Sequence, residues 1–410
     1  MSAPKLLFWV QHLLGIGHLR RAAALTHALA TDGFAVTVVS GGMKVPELDL
    51  GPVDLIQLAP ARAADSSFAG IVDENGRAID DAWREARRAH LMQIFESLKP
   101  DLVLIELYPF GRRAFRTEIN PLLVACTAAR IPVFVSLRDL LVDKGRADRA
   151  AETVRLVRDH VAKVLVHGDP KFLRLEQSFP AAAEIADRIA YTGYVVNRPP
   201  AGMEAATSES PPRPARPAPK GGRPADMPAG SGEVLVSAGG GAVGRLLLET
   251  ALAARPMTRL AGVPWRLVTG PQIPVADFRA LHAAALPGVV PGITVERFRA
   301  DFQKMLAACR VSVSQAGYNT LMEILSAGTR SVVVPFADGG ESEQTVRARL
   351  LAARGLLELV EADALSPASL AAAIDRADTK PRGTALAAID LDGARQTAAI
   401  LRDHLAGRRA

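Results

Sequence analysis

The residues able to do chemistry stand in five short polar stretches, each following an apolar run. Gly15-Ile16-Gly17-His18-Leu19-Arg20-Arg21 joins two glycines to a histidine near a helix start. Glycine lets the backbone approach a ligand closely, and the free N–H groups of a helix start favour anions. There an imidazole can take a proton from a hydroxyl; the plainer role for His18 is to cap or pack the helix. Glu106 closes an apolar run at 102–105 and leads into Leu107-Tyr108-Pro109-Phe110-Gly111-Arg112-Arg113. It is placed to orient His18 or balance its charge, or simply to be held by a neighbouring arginine.

Gly239-Gly240-Gly241-Ala242-Val243-Gly244 has the G-x-G-x-x-G spacing of a phosphate-binding turn. A nicotinamide site also needs an acid at the end of the next strand, to hold the ribose. That strand ends Val268-Thr269-Gly270, and its counterpart in the first half ends Val39-Ser40-Gly41. Neither offers one, which argues against a dehydrogenase and leaves phosphate binding through backbone N–H groups, with Gly240 and Gly241 closest. The acid is supplied elsewhere, in Ser314-Gln315-Ala316-Gly317-Tyr318-Asn319-Thr320-Leu321-Met322-Glu323. Here a strand meets a glycine and then a helix. Glu323, in the first or second helical turn, can accept both hydroxyls of a ribose diol while the helix start faces the phosphates. Gln315, Gly317 and Thr320 line the same turn. The structural alternative is a carboxylate that complements the helix dipole. The fifth stretch, 335–344, ends in Glu343-Gln344, whose acceptors and donors suit the hydroxyls of a sugar.

These stretches must be held by strands. Apolar runs at 6–10, 34–39, 53–58, 102–106, 132–136 and 164–167, and again at 233–237, 265–269, 294–296, 311–315, 331–335 and 357–360, alternate with longer alanine-rich stretches of helical period. Continuous apolar runs suit parallel strands covered by helices on both faces. The chain is therefore expected to be α/β, with two Rossmann-like, doubly wound parallel sheets in tandem. Ligands in such sheets sit beyond the carboxyl ends of the strands. Nine of the 28 prolines fall between 199 and 228, a composition that cannot build a core. The expected division is a first domain over 1–195, an extended or disordered connector over 196–232 and a second domain over 233–410.

Bulk properties narrow the classes. At 410 residues, with 49% hydrophobic and 22% charged residues, each half can bury its own core. The N-terminus lacks the pattern of a signal peptide, no apolar stretch is long enough to span a bilayer, and Cys126 and Cys309 form no metal-spaced pair. These features point to the cytoplasm. The net charge of +6 is rich in arginine, with clusters at Arg84–Arg88 and at Arg112, Arg113 and Arg116. They suit a solvated face, or peripheral contact with anionic lipid at the inner membrane face. Aromatics total 5% and no basic stripe is interleaved with them, which argues against nucleic acid.

Taken together the stretches resemble GT-B glycosyltransferases, two Rossmann-like domains facing across a cleft, and particularly the peptidoglycan N-acetylglucosaminyltransferase group. The resemblance is clearest over 295–364, where Phe298, Ala316-Gly317, Glu323, Val334-Pro335-Phe336 and Gln344 stand in the family's order. Gly15-x-Gly17-His18 is similar to its first glycine loop. The resemblance implies that Phe298 and Arg299 flank the base, that Glu323 holds the ribose, and that Gly240 and Gly241 approach the diphosphate. Gln344, with Glu343, would meet the sugar, and His18 would act on the acceptor. It implies a UDP-linked donor, an acceptor that the sequence does not name, and no cofactor or bound metal, since helix starts and amides carry the leaving charge. Two departures stand out: the first loop has fewer glycines than the family's, and Arg347 stands where the family often has asparagine. Asp390-Leu391-Asp392, although it mimics the metal motif of another glycosyltransferase class, is expected to cap the last helix.

Two other functions fit the same residues. Gly15-x-Gly17-His18-x-x-Arg21 also looks like the loop of UDP-sugar hydrolases of nonulosonic-acid biosynthesis. A non-catalytic nucleotide-sugar-binding protein, or an epimerase, would use an equally built pocket.

Overall fold

The computed structural model describes residues 3–13, 15–46, 48–64, 70–141, 147–196, 232–239, 244–270, 273–285, 292–299, 301–336, 343–383 and 389–408. The chain divides into two compact units, residues 1–196 with 389–410, and residues 197–388. The proline-rich connector expected over 196–232 lies almost wholly outside the described residues.

Among the described residues, unit 1 is built on a seven-stranded parallel sheet. Its strands are β1 (Lys5–Val10), β2 (Ala35–Ser40), β3 (Asp54–Gln57), β6 (Leu102–Glu106), β7 (Val133–Arg138), β8 (Lys163–His167) and β9 (Ile189–Tyr191). They lie in the order β3-β2-β1-β6-β7-β8-β9. A short antiparallel pair, β4 (Ala61–Ala63) and β5 (Ile71–Asp73), stands apart from it. The helices are α1 (Gly17–Thr31), α2 (Asp81–Leu98), α3 (Arg116–Ala128), α4 (Ala147–His160) and α11 (Gly393–Gly407).

Alternation along the strands divides the core. Leu6, Phe8, Leu102, Leu104, Phe134 and Leu165 pack with Ala22, Leu25 and Leu29 of α1 and with Ala398 and Leu401 of α11. Leu7, Trp9, Val103, Ile105 and Val133 turn the other way, onto α2 and α3. Two-residue periodicity then sets the next residues on the α1 face: Leu104 is succeeded by Glu106, Phe134 by Ser136 and Leu165 by His167. The face is apolar along the body of the sheet and polar at its carboxyl edge, beneath the start of α1.

Unit 2 carries, among its described residues, a second parallel sheet of order β12-β11-β10-β13-β14-β15. Its strands are β10 (Val234–Ser237), β11 (Trp265–Val268), β12 (Ile293–Glu296), β13 (Val311–Gln315), β14 (Ser331–Val334) and β15 (Glu358–Leu359). Helices α5 (Arg245–Ala254), α6 (Val275–Ala284), α7 (Phe302–Ala308), α8 (Tyr318–Ala327), α9 (Glu343–Ala353) and α10 (Pro367–Thr379) complete it. Val234, Val236, Val311, Val313 and Val332 face α5 and α10. Leu235 and Val268 face Leu306 of α7 and Ile324 of α8.

The last helix corrects the expected second domain of 233–410. Residues 389–410 cluster with unit 1. Arg402 Nε lies 2.7 Å from Asp32 Oδ2, and the His404 ring meets Phe134 edge-on at 5.1 Å between centroids. A Cβ on Gly393 would run into the Gly193 carbonyl, so the returning chain packs backbone against backbone. Asp392 occupies the N-cap position of α11, yet its side chain makes no capping bond. It reaches Arg395 Nε at 2.6 Å instead, so the expected side-chain cap is not formed. Among the described residues, no helix is long and apolar enough to cross a membrane.

Candidate functional site

In each sheet the strand order reverses once, between β1 and β6 and between β10 and β13, where ligands settle in doubly wound folds. In unit 1 that point is occupied by charge. Glu106, the last residue of β6, is completely buried. One carboxylate oxygen, Oε1, takes His18 Nδ1 at 2.8 Å and is also bound by Arg21 Nη2. The other, Oε2, accepts the Ser136 hydroxyl at 2.6 Å. Register explains the last contact, since Glu106 and Ser136 are paired across β6 and β7. Helical spacing explains the first two: His18 and Arg21 stand one turn apart at the start of α1, above the polar edge of the sheet. Glu106 therefore contacts both His18 and Arg21.

The electrostatics follow from burial. Loss of solvent pushes the Glu106 carboxyl up, but Arg21 and the hydrogen bonds from His18 and Ser136 outweigh it and hold it well below the usual carboxylate range. Burial, followed by the nearby Arg112, lowers His18 to about 3 despite Glu106. The imidazole is therefore neutral at physiological pH. With Nδ1–H donated to Glu106, Nε2 carries the lone pair and can accept a proton. Burial and Arg138 lower the Arg112 guanidinium to about 10, and Arg112 Nε donates to the Gln11 carbonyl at 2.8 Å. Gly15 is exposed, and a Cβ there would meet nothing within 4 Å. Gly17 opens α1, which has neither a side-chain cap nor an acid in its first turn. A helix start of that kind suits an anion.

Sequence reasoning missed Ser136, His167 and Thr192. Ser136 Oγ lies 2.9 Å from His167 Nε2, and His167 Nδ1 lies 2.9 Å from Thr192 Oγ1. Ser136 and His167 close two of the expected strands, a position they share with Glu106 but one that does not by itself single them out.

In unit 2, Gln315 ends β13 and Gly317 is the N-cap of α8, with no side-chain cap and no acid in the first turn. A Cβ on Gly317 would meet only Thr320 Oγ1, at 3.9 Å, so the backbone is open to a ligand. Thr320 and Glu323 are half-buried on α8, with Glu323 in its second turn. Gly240 and Gly241 lie outside the described residues, but the ends of their loop are described. Gly239 has φ of 74° and Gly244 of 135°, and a Cβ on Gly244 would strike Ala238. Both positions therefore require glycine. Gly244 is the N-cap of α5, again with no side-chain cap and no acid in the first turn.

Phe298 follows β12 and is a large apolar side chain that is 55% exposed. Arg299 is held by Asp301, at 2.8 and 2.7 Å, and by Glu296 at 3.4 Å. Glu343 opens α9, and Gln344 Oε1 accepts the Phe336 amide at 3.2 Å, tying the helix to the end of β14. Residues 337–342, the middle of that loop, lie outside the described residues. Arg347 is buried and sits over the Tyr318 ring at 5.2 Å, joining α9 to α8.

One part of the expected basic face turns inward. Arg87 is 1% exposed. Its guanidinium binds Glu118 at 2.6 and 3.0 Å and the Gly41 carbonyl at 3.0 Å. It belongs to the core and not to a surface. Arg84, Arg113, Arg116 and Arg149 line a cavity of about 690 Å³ with Asp81, Asp148 and Glu152.

Two tandem parallel sheets of this order, each reversing beneath an uncapped helix start, have the GT-B glycosyltransferase fold. Residues 238–395 match the glycosyltransferase family 28 C-terminal domain. Over 185 residues the chain is 31% identical to a transferase of Rhodospirillum centenum. That relative is named UDP-N-acetylglucosamine--N-acetylmuramyl-(pentapeptide) pyrophosphoryl-undecaprenol N-acetylglucosamine transferase, and the match covers 42% of this chain and 47% of the relative. The chain thus spans about half the length of the relatives it matches. Among solved structures it is similar to the calicheamicin glycosyltransferase CalG4, with a TM-score of 0.61, 17% identity and all of both chains covered. It is also similar to MurG of Acinetobacter baumannii, with a TM-score of 0.57, 14% identity and 98% and 100% of the two chains covered.

Proposed function

We propose that this chain is a metal-independent glycosyltransferase that moves a sugar from a UDP-linked donor to an acceptor hydroxyl. Unit 2 holds the donor: the starts of α5 and α8 take the diphosphate, Glu323 the ribose, Phe298 and Arg299 the base, and Glu343 and Gln344 the sugar. Unit 1 supplies the base. His18 Nε2 takes the acceptor's proton, the acceptor oxygen bonds to the anomeric carbon, and the bond from that carbon to the diphosphate oxygen breaks with its electron pair left on the diphosphate. The observation that carries this reading is His18 held through Nδ1 by the buried Glu106 carboxylate, which leaves Nε2 as the ring's proton acceptor in a fixed tautomer. The match of residues 238–395 to a glycosyltransferase C-terminal domain and the UDP-N-acetylglucosamine in the relative's name support the choice of donor.

The donor half is tested by UDP-induced thermal stabilisation. Losing a charge-assisted bond to the ribose costs about 1.5–3 kcal/mol, so Glu323→Ala should bind UDP roughly 10- to 100-fold more weakly. Equal stabilisation of wild type and variant would sink the ribose assignment. Unit 1 also makes peripheral contact with an anionic surface through Arg84, Arg113 and Arg116. Co-sedimentation with anionic vesicles, lost in high salt and absent with neutral vesicles, is the expected result. Binding indifferent to lipid charge would contradict it.

A further inference from the structure

We propose that Ser136 and His167, backed by Thr192, form a buried relay that fixes the orientation of the Glu106 carboxylate and thereby sets the tautomer of His18. The two are positioning residues for transfer. The inference rests on the reading of His18 as the base, but its direct readout does not depend on turnover.

The direction of the relay follows from counting protons. Glu106 is ionised and can only accept, so the Ser136 hydroxyl spends its one proton on Oε2 at 2.6 Å. Ser136 Oγ must then accept at 2.9 Å from His167 Nε2, which therefore carries the proton of that neutral ring. His167 Nδ1 is left to accept, with the Thr192 hydroxyl at 2.9 Å; that hydroxyl also lies 3.0 Å from the Gly193 carbonyl. Glu106, Ser136 and His167 are fully buried and Thr192 is 1% exposed, so no solvent completes or scrambles the chain. The polarity runs from His167 through Ser136 to Glu106.

The consequence falls on the other end of the carboxylate. His18 Nδ1 and Arg21 both use Oε1. Ser136 holds Oε2 against rotation and keeps Oε1 where His18 can reach it. Without the hydroxyl, a buried oxygen loses its donor and the carboxylate is free to turn towards Arg21. His18 then loses the partner that keeps its proton on Nδ1, and with it the exclusive lone pair at Nε2.

The test is the tautomer of His18 in the full-length protein, read by long-range proton–nitrogen correlation. Wild type should show a protonated Nδ1 and an unprotonated Nε2. Ser136→Ala should give a mixture, with kcat falling on the order of 10²-fold and KM for the donor unchanged. Ser136→Thr, which keeps the hydroxyl, should restore the wild-type signature. His167→Gln retains a donor to Ser136 and should hold the tautomer, whereas His167→Phe should not; this pair decides the matter even where Ser136→Ala folds poorly. An unchanged His18 tautomer in Ser136→Ala or His167→Phe overturns the relay. A shifted tautomer in a protein whose transfer survives His18→Ala would uphold the relay and remove His18 as the base.

Discussion

His18→Ala should lower kcat for sugar transfer by about 10²- to 10⁴-fold, the usual contribution of a positioned general base, while leaving UDP-induced thermal stabilisation intact. The split follows from where the residue sits. His18 and its partner Glu106 belong to unit 1, whereas the residues assigned to the base, the ribose and the sugar lie in unit 2. Loss of the imidazole also removes one hydrogen bond from Glu106, but Arg21 and Ser136 remain to hold the carboxylate, so the fold should survive. His18→Gln should not rescue turnover, because an amide offers no lone pair of comparable basicity. Assays of initial rate and of UDP-dependent melting on the same preparations check this. A large loss of UDP affinity in His18→Ala would move His18 to the phosphates and leave transfer without its base.

The second large effect is acid lability of unit 1. Burial lowers His12 to about 4 and both His18 and His167 to about 3, with Arg112 adding to the first two and Arg21 to the third. In the unfolded chain each takes up a proton near pH ~6.5. The unfolded state therefore binds more protons than the native state throughout the interval between those values, and stability falls as pH falls through it. From about pH 7 to about pH 5 each ring costs on the order of 2 kcal/mol, so the three together remove several kcal/mol. That is a large part of the stability of an ordinary domain. Urea unfolding at the two pH values, followed by a probe in unit 1, should show the loss. Equal stability would mean that the three imidazoles protonate in the native state, and that His18 is not held neutral.

The architecture was legible because its strands are long apolar runs. The five residues of Leu102–Glu106 and of Val311–Gln315 are the ones expected, and all of them except Gln315 are buried. The short pieces were not legible. Ala61–Ala63, Ile71–Asp73 and Ile189–Tyr191 span three residues each, too few for any period to register. Residues 389–410 were assigned to the wrong unit because an alanine-rich amphipathic helix does not specify which sheet it covers. That information lies in the fit of Ala398 and Leu401 against Leu25 and Leu29.

In the site, His18 and Glu106 were found by residue type at strand and helix ends, although 88 residues separate them. Ser136 and His167 were passed over because a lone serine or histidine closing an apolar run carries no pattern of its own. Only the register that sets Glu106 beside Ser136 gives them meaning. Arg87 misled in the opposite sense: on α2 it reads as part of an exposed basic stretch, yet Glu118 and Gln11 draw it inward.

UDP release measures sugar transfer most directly. Wild-type protein would be given UDP-N-acetylglucosamine, and in parallel UDP-glucose and UDP-galactose, with and without a membrane-derived acceptor fraction. One donor should release UDP quickly only when the fraction is present, with the sugar recovered in it, and His18→Ala should abolish that difference. Release that is equally fast without any acceptor would show hydrolysis in place of transfer.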